Sequence, residues 1–406
     1  MSRLRGWQRN RYRGTSGFGT GKILLLLLAV VVLVIGGYLW LNEKKPETDL
    51  PPDTEIIPVP VQSPPVEKQK ETDLPALPDG VHGIYISGPV AGDPYMEKLL
   101  ALIDETELNT VVIDIKNDEG MLTYKADSGT ALEIGACVRY ISDLPALMKE
   151  LKAHNIYTIA RVAAFKDPML AKKRPELALR YLDGSFVTEG GGIAWVNPCD
   201  PAVWDYLEEI SLEAVKMGFD EVQFDYVRFP TGKSMDQVSY GNHVGDMSRT
   251  EIVANFLERM TASIHAQGAR VSADVFGTVI TNQTDAELIG QNYVRLTEIV
   301  DYVCPMVYPS HYSAGAFGLE LPDQEPYQTV LSALKSSKAA TSEQETMAGV
   351  RAWLQDFTAT WIDGHIDYGP EELRAQIQAV YDAGYTDWLL WNAKNVYTAD
   401  GLLKAD

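Results

Sequence analysis

From residue 83 onward the sequence alternates short β-rich runs with amphipathic helical stretches, eight times over, and that alternation predicts a parallel (β/α)8 barrel. Two further observations support a closed barrel over an open doubly wound sheet. The first strand is followed by "SGPVAG", which is not a GxGxxG phosphate loop. Long connections at 166–199, 230–247 and 311–324 all follow strands, whereas the connections that follow helices are short. The expected fold class is α/β, a TIM barrel over residues 80–406 preceded by a single transmembrane helix and a Pro-rich linker.

The strands read at 83–88, 110–116, 157–165, 221–229, 270–277, 302–310, 351–357 and 387–393, each rich in Val, Ile, Tyr or Phe. Helices read at "PYMEKLLALIDETE", "DPAVWDYLEEISLEAVKMG" and "EIVANFLERMTASIHAQG". In the last two, Gly218 and Gly268 stand where a helix ends in a left-handed residue.

The N-terminal 79 residues differ in kind. Residues 1–22 carry six basic residues and no acid. Residues 23–41, "ILLLLLAVVVLVIGGYLWL", are uncharged and about long enough to cross a hydrocarbon core of roughly 30 Å. Basic residues before the span and Glu43 after it place the N-terminus in the cytoplasm and the body outside. The span is longer than a usual signal-peptide core and ends in Tyr38-Leu39-Trp40-Leu41 with no A-x-A-like site, so an uncleaved cell-membrane anchor is expected. Residues 42–79 hold nine prolines and interspersed charge, the composition of a disordered, partly extended tether.

After residue 22 the chain holds 29 basic against 56 acidic residues. Such a body repels a phosphate backbone, and no nucleic-acid partner is expected. Cys137, Cys199 and Cys304 show no CxxC and no zinc spacing; one bridge between the first two is open to the chain, and Cys304 in its apolar strand reads as core. With six His, no HxH, no HExxH and no EF-hand spacing, neither a metal nor a cofactor is expected.

In a barrel of this kind the active site lies at the C-terminal ends of the strands. Several polar residues fall there. Strand two, "TVVIDIKND", puts Asp114 and Lys116 on one face by period two. Strand three offers Arg161, strand four offers Asp225 followed by Arg228, and strand five, "VSADVFG", offers Asp274. Tyr308 and His311 follow strand six, Trp353 lies in strand seven, and Trp391 and Asn392 end strand eight. Carboxylates, aromatics and amides without a metal or nucleotide motif suit glycoside hydrolysis, which needs one carboxylic acid and one carboxylate. Asp225 beside Arg161 or Arg228 fits the ionised partner, and Asp274 among apolar residues fits the protonated one, with the reverse assignment open. Trp353 and Trp391 would offer faces to a sugar, with Asp114, Lys116, Arg161, Arg228, Tyr308, His311 and Asn392 hydrogen-bonding it.

The motifs "GIYISG", "VVIDIKNDEG", "IYTIARVAAFKDPMLAKKRPELAL", "VNPCDPAVWDYL", "VQFDYVRFP", "VSADVFG", "VCPMVYPSHY" and "WNAKNVYT" also carry a resemblance. Together they resemble a bacterial glycoside hydrolase family, formerly a domain of unknown function, that is distantly similar to the α-amylase-type barrels. The resemblance covers roughly residues 80–402 and implies a TIM-barrel glycosidase acting on a polysaccharide or oligosaccharide. In the α-amylase-type barrels the nucleophile is an Asp at the end of strand four, which maps onto Asp225. The acid there is a Glu at the end of strand five, and this sequence offers Asp274 instead.

Two other functions compete: a sugar-binding barrel without turnover, and a surface scaffold for a partner protein. A scaffold would show the acids neutralised by Lys116, Arg161 or Arg228 in a closed interior.

Overall fold

Eight principal strands form one parallel sheet: β1 His82–Ile86, β2 Thr110–Lys116, β3 Tyr157–Ala163, β4 Glu221–Asp225, β5 Arg270–Phe276, β6 Tyr302–Met306, β7 Ala352–Gln355 and β8 Trp388–Trp391, with the short Gly349–Val350 pairing with β6 just ahead of β7. The computed structural model describes residues 74–232, 234–241, 245–344 and 347–405. Each strand pairs with the next in sequence, and β8 closes onto β1 through His82–Trp388, Gly83–Leu389 and Ile84–Leu390. A closed eight-stranded parallel barrel results, as the alternation predicts. Both faces of β2 and β3 are buried throughout, inward against the barrel interior and outward against helices. Continuous apolar runs such as "TVVID" have that cause.

Helices return the chain after each strand, and their ends obey local chemistry. Asp200 caps Pro201–Lys216 by accepting from the Ala202 amide at 2.9 Å. Ser248 and Glu251 form a reciprocal capping box at the start of Arg249–His265. Gly218 and Gly268 take φ of 101° and 80° just beyond these two helices. All three cysteines are free thiols, so the Cys137–Cys199 bridge does not form.

Several strands end sooner than the sequence suggests. The fourth stops at Asp225 because Tyr226 adopts φ of 49°, a left-handed conformation that no strand continues. The sixth stops at Met306, and Pro309 begins a short 3-10 turn, Pro309–His311. In β2 the partners step from Asp114–Arg161 to Lys116–Val162, so two residues of β2 advance while one residue of β3 does. This bulge removes Lys116 from the face that Asp114 occupies.

The barrel interior is filled in layers. Val112, Tyr157, Ile159, Cys304, Trp353 and Leu389 form its apolar part. Toward the N-terminal strand ends, buried Glu221 accepts from Arg351 Nη1 at 2.8 Å, Ser272 Oγ at 2.5 Å and Tyr157 OH at 3.0 Å. At that same end Leu77 packs onto the interior cluster, and the Pro75 carbonyl accepts from Arg270 Nη2 at 3.3 Å. The chain therefore reaches the barrel at the face opposite the C-terminal strand ends. Among the described residues no helix is long and apolar enough to cross a membrane. The expected anchor at 23–41, the basic segment before it and the tether up to residue 73 lie outside the described residues.

Candidate active site

A cavity of about 400 Å³ opens at the C-terminal ends of the strands, with Arg161, Asp225, Asp274, Tyr308, Trp353 and Trp391 among its lining residues. Asp225 is the last residue of β4. Its Oδ1 accepts from the amide of left-handed Tyr226 at 2.6 Å, so the carboxylate ties down the turn that ends its own strand. Its Oδ2 accepts from Arg161 Nε at 3.1 Å and from Arg161 Nη2. Through Nη1, Arg161 also donates to Asp114 Oδ1 at 2.5 Å. Asp114 takes a second bond, from Tyr85 OH, at 2.6 Å. The guanidinium carbon lies 5.6 Å from the Tyr85 ring centre and 5.4 Å from that of Trp391, a cation set beside two stacked aromatic rings.

Asp274 lies on the adjoining strand. The last paired residues of β4 and β5 are Phe224 and Ala273, so Asp225 and Asp274 follow at the same level of strands about 4.8 Å apart. Asp274 Oδ1 accepts from the Trp353 indole N–H at 2.7 Å. Burial pushes the Asp274 carboxyl well above the ordinary carboxylate range, and the charge of Asp225 pushes it further. Arg161 and the Trp353 bond act in the other direction and do not win. Burial raises Asp114 as well, against the pull of Arg161. Three carboxyls thus crowd one buried cation, and burial raises those on β2 and β5.

The remaining expected residues divide. Arg228 lines the cavity, but its guanidinium forks onto Glu189, with Nη1–Oε1 at 3.2 Å and Nη2–Oε2 at 3.1 Å. Glu189 belongs to a small hairpin formed by Thr188–Glu189 and Ile193–Ala194. Burial alone would raise its carboxyl, yet bonds from Arg228 and Thr231 hold it below the usual value. Tyr308 is buried in the cavity wall, and His311 is exposed at its rim. Trp391 is half-buried and stacks on Tyr85 with ring centres 4.2 Å apart.

Two expectations are corrected. Lys116 does not reach the site: the bulge turns it to the Ala163 carbonyl at 2.6 Å and Asp167 at 2.9 Å. Asn392 does not face the cavity either, because its amide donates to the carbonyls of Asp356 and Val396 at 2.5 and 2.7 Å. It pins the turn after β8. Trp353 lines the cavity but is only 1% exposed, and its indole N–H is engaged with Asp274.

Tyr85, Tyr226, Phe276, Tyr312 and Glu189 complete the surroundings and escape the sequence reading. Tyr85 alone carried a usable signal, since it shares parity with Gly83 on an inward face of β1. Among the described residues no group of three or more His, Cys, Asp or Glu is placed to hold a metal ion.

This barrel and its mouth can be set beside known proteins. The glycoside hydrolase domain of PgaB (BpsB) from Bordetella bronchiseptica superposes with a TM-score of 0.57 at 12% identity, covering 77% of this chain and 94% of that one. It shares the fold. A hypothetical protein from Ruminiclostridium thermocellum ATCC 27405 is 35% identical over 47% of this chain and 97% of its own, with a TM-score of 0.43. No curated protein matches the sequence. Residues 83–397 match the family described as "Putative glycosyl hydrolase domain", and over that greater part of its length the chain belongs to that family.

Proposed function

We propose that the protein is a membrane-anchored glycosidase that cleaves an envelope or extracellular polysaccharide, with Asp225 and Asp274 as its two carboxyl groups. One observation carries the reading: two aspartates stand side by side at the mouth of a cavity, one paired with the Arg161 guanidinium and the other buried so that its carboxyl is pushed well above the ordinary range. Arg161 donates two hydrogen bonds to Asp225, and burial keeps the proton on Asp274. A carboxyl that keeps its proton beside one paired with a cation suits the roles of acid and nucleophile.

In the first step Asp274 passes its proton to the glycosidic oxygen as that oxygen leaves. The Asp225 carboxylate attacks the anomeric carbon and forms a glycosyl ester. In the second step the Asp274 carboxylate takes a proton from water, whose oxygen attacks the same carbon and releases Asp225. Carboxyls on adjacent strands suit this retaining route, which wants them about 5–5.5 Å apart. The segment 23–41 supplies the anchor, and the charge on either side of it puts the barrel outside the cell.

A second reading, a barrel that binds sugar without cleaving it, draws on one observation. Both oxygens of Asp225 already accept hydrogen bonds, from the Tyr226 amide and from Arg161. The test separates the two. Full-length protein is incubated with a polysaccharide panel, and new reducing ends are counted for the wild type, Asp225→Asn and Asp274→Asn. Turnover is expected to vanish in the first variant. In the second it falls by about 10²–10⁴-fold, less so on substrates with good leaving groups. Unchanged release by both variants would sink the mechanism, and retention of a polysaccharide without release would establish the second reading.

A further inference from the structure

Trp361 is the most conspicuous apolar side chain outside the cavity: it is 66% exposed, on the connection that follows β7. Large exposed aromatics cost free energy in water and mark contact sites when they are held in place. This one is held. Its ring stacks on Phe357, centre to centre 6.0 Å at an interplanar angle of 24°. Buried Asp323 fastens the loop on both sides, accepting from the Gln355 amide at 3.3 Å and the Ile366 N–H at 3.3 Å. The Tyr368 hydroxyl donates to the Asp323 carbonyl at 2.9 Å, and Gln324 donates to the Gly364 carbonyl at 2.6 Å.

The indole is also continuous with the cavity. Tyr308 and His311 line the cavity, and Phe357 lies 5.9 Å from Tyr308 and 6.5 Å from His311, ring centre to ring centre. His311 meets Trp361 edge-on at 6.5 Å. An aromatic strip therefore runs from the cavity wall to the open surface. Fixed aromatic faces suit the C–H face of a sugar ring. The same loop presents exposed Asp363 and Asp367, which oppose a polyanion.

We infer that Trp361, backed by Phe357, is an outer subsite that grips a neutral or amino-sugar polysaccharide chain beyond the cavity, so the protein recognises a polymer and not a lone terminal sugar. The inference rests on the reading of the cavity as a sugar site, and binding is measured apart from cleavage for that reason.

The test is affinity electrophoresis of the full-length protein in gels cast with glucomannan, xylan, dextran, glycol chitosan or polygalacturonate. Trp361→Ala, Trp361→Tyr and Asp225→Asn run alongside, and thermal melts check that each is folded. At least one neutral or amino-sugar polymer is expected to retard both the wild type and Asp225→Asn. Trp361→Ala weakens that retardation about three- to tenfold, the scale of one lost aromatic contact, and Trp361→Tyr restores most of it. Absence of retardation by every polymer, equal retardation of Trp361→Ala, or retention confined to polygalacturonate overturns the inference. Reducing-end release is scored on the same proteins. Trp361-dependent retention without release leaves the outer subsite standing and removes the glycosidase, whereas release with Trp361-independent retention removes the subsite alone.

Discussion

Replacing Arg161 with Met tests the electrostatic core of the site, because this side chain answers two buried carboxylates at once. Its own exposure is 4%, and those of Asp114 and Asp225 are 6% and 12%. Met keeps most of the aliphatic stem but removes all three donors directed at the two acids and the cation beside the Tyr85 and Trp391 rings. Removing one partner of a buried pair leaves uncompensated charge and costs about 3–5 kcal/mol. The variant has an escape: its aspartates can take up protons. Burial already raises Asp114, and Arg161 is the largest influence opposing that rise, so the shift grows when Arg161 is lost. A carboxyl whose folded pKa is raised stabilises fully only below its unfolded value near 3.9, and that stability drains away as pH climbs toward the folded value. The deficit of Arg161→Met should therefore be smaller at pH 5 than at pH 8. Urea unfolding followed by tryptophan fluorescence measures it. Adding Asp114→Asn to Arg161→Met should recover at least about 1 kcal/mol at pH 8, since neighbours that share a network are not additive. Strict additivity, or a deficit below about 1 kcal/mol, would refute the account of one cation shared by opposed acids.

Two further expectations concern stability. Asp274→Asn should raise the melting temperature more at pH 8 than at pH 5, because the native Asp274 retains a proton that the unfolded chain gives up as pH rises; an equal gain at both values would remove burial as the controlling influence. Gly277→Ala should cost about 1–3 kcal/mol, because the added carbon would lie 2.2 Å from the Tyr312 hydroxyl and 2.7 Å from the Met306 carbonyl. Adding Tyr312→Phe should return part of that loss in a thermal melt, as the hydroxyl is one of the two obstructing groups.

The barrel was legible because parallel strands buried on both sides write themselves as uninterrupted β-rich runs. Asp225, Asp274 and Arg161 were legible for a related reason: a charge inside such a run has to meet another charge or open onto solvent. Parity misled where the backbone departed from regular pleating. Lys116 counts onto the Asp114 face, and only the bulge sends it elsewhere. Asn392 reads as a strand-end amide, but the turn after β8 consumes it. Trp353 and Trp391 looked alike, and what separates them is depth, which a sequence does not encode directly. Glu189 and Trp361 went unread because connections lack any period that assigns a direction to a side chain. Their roles depend on tertiary neighbours, Arg228 for one and Phe357 for the other.

The irregularity in β2 bears on how such a site could be moved to another protein. Copied onto regular strands, Asp114, Arg161, Asp225 and Asp274 would keep their spacing, but the residue two places after Asp114 would swing back into line with it. A second cation, the lysine ammonium, would then enter the mouth, offer Asp225 and Asp114 an alternative counter-ion, and release Arg161 from its bridging position. Asp274 would lose part of the negative neighbourhood that helps keep it protonated. One surplus backbone position thus sorts two adjacent charges into separate compartments, and a transplanted centre needs that position as much as it needs its aspartates.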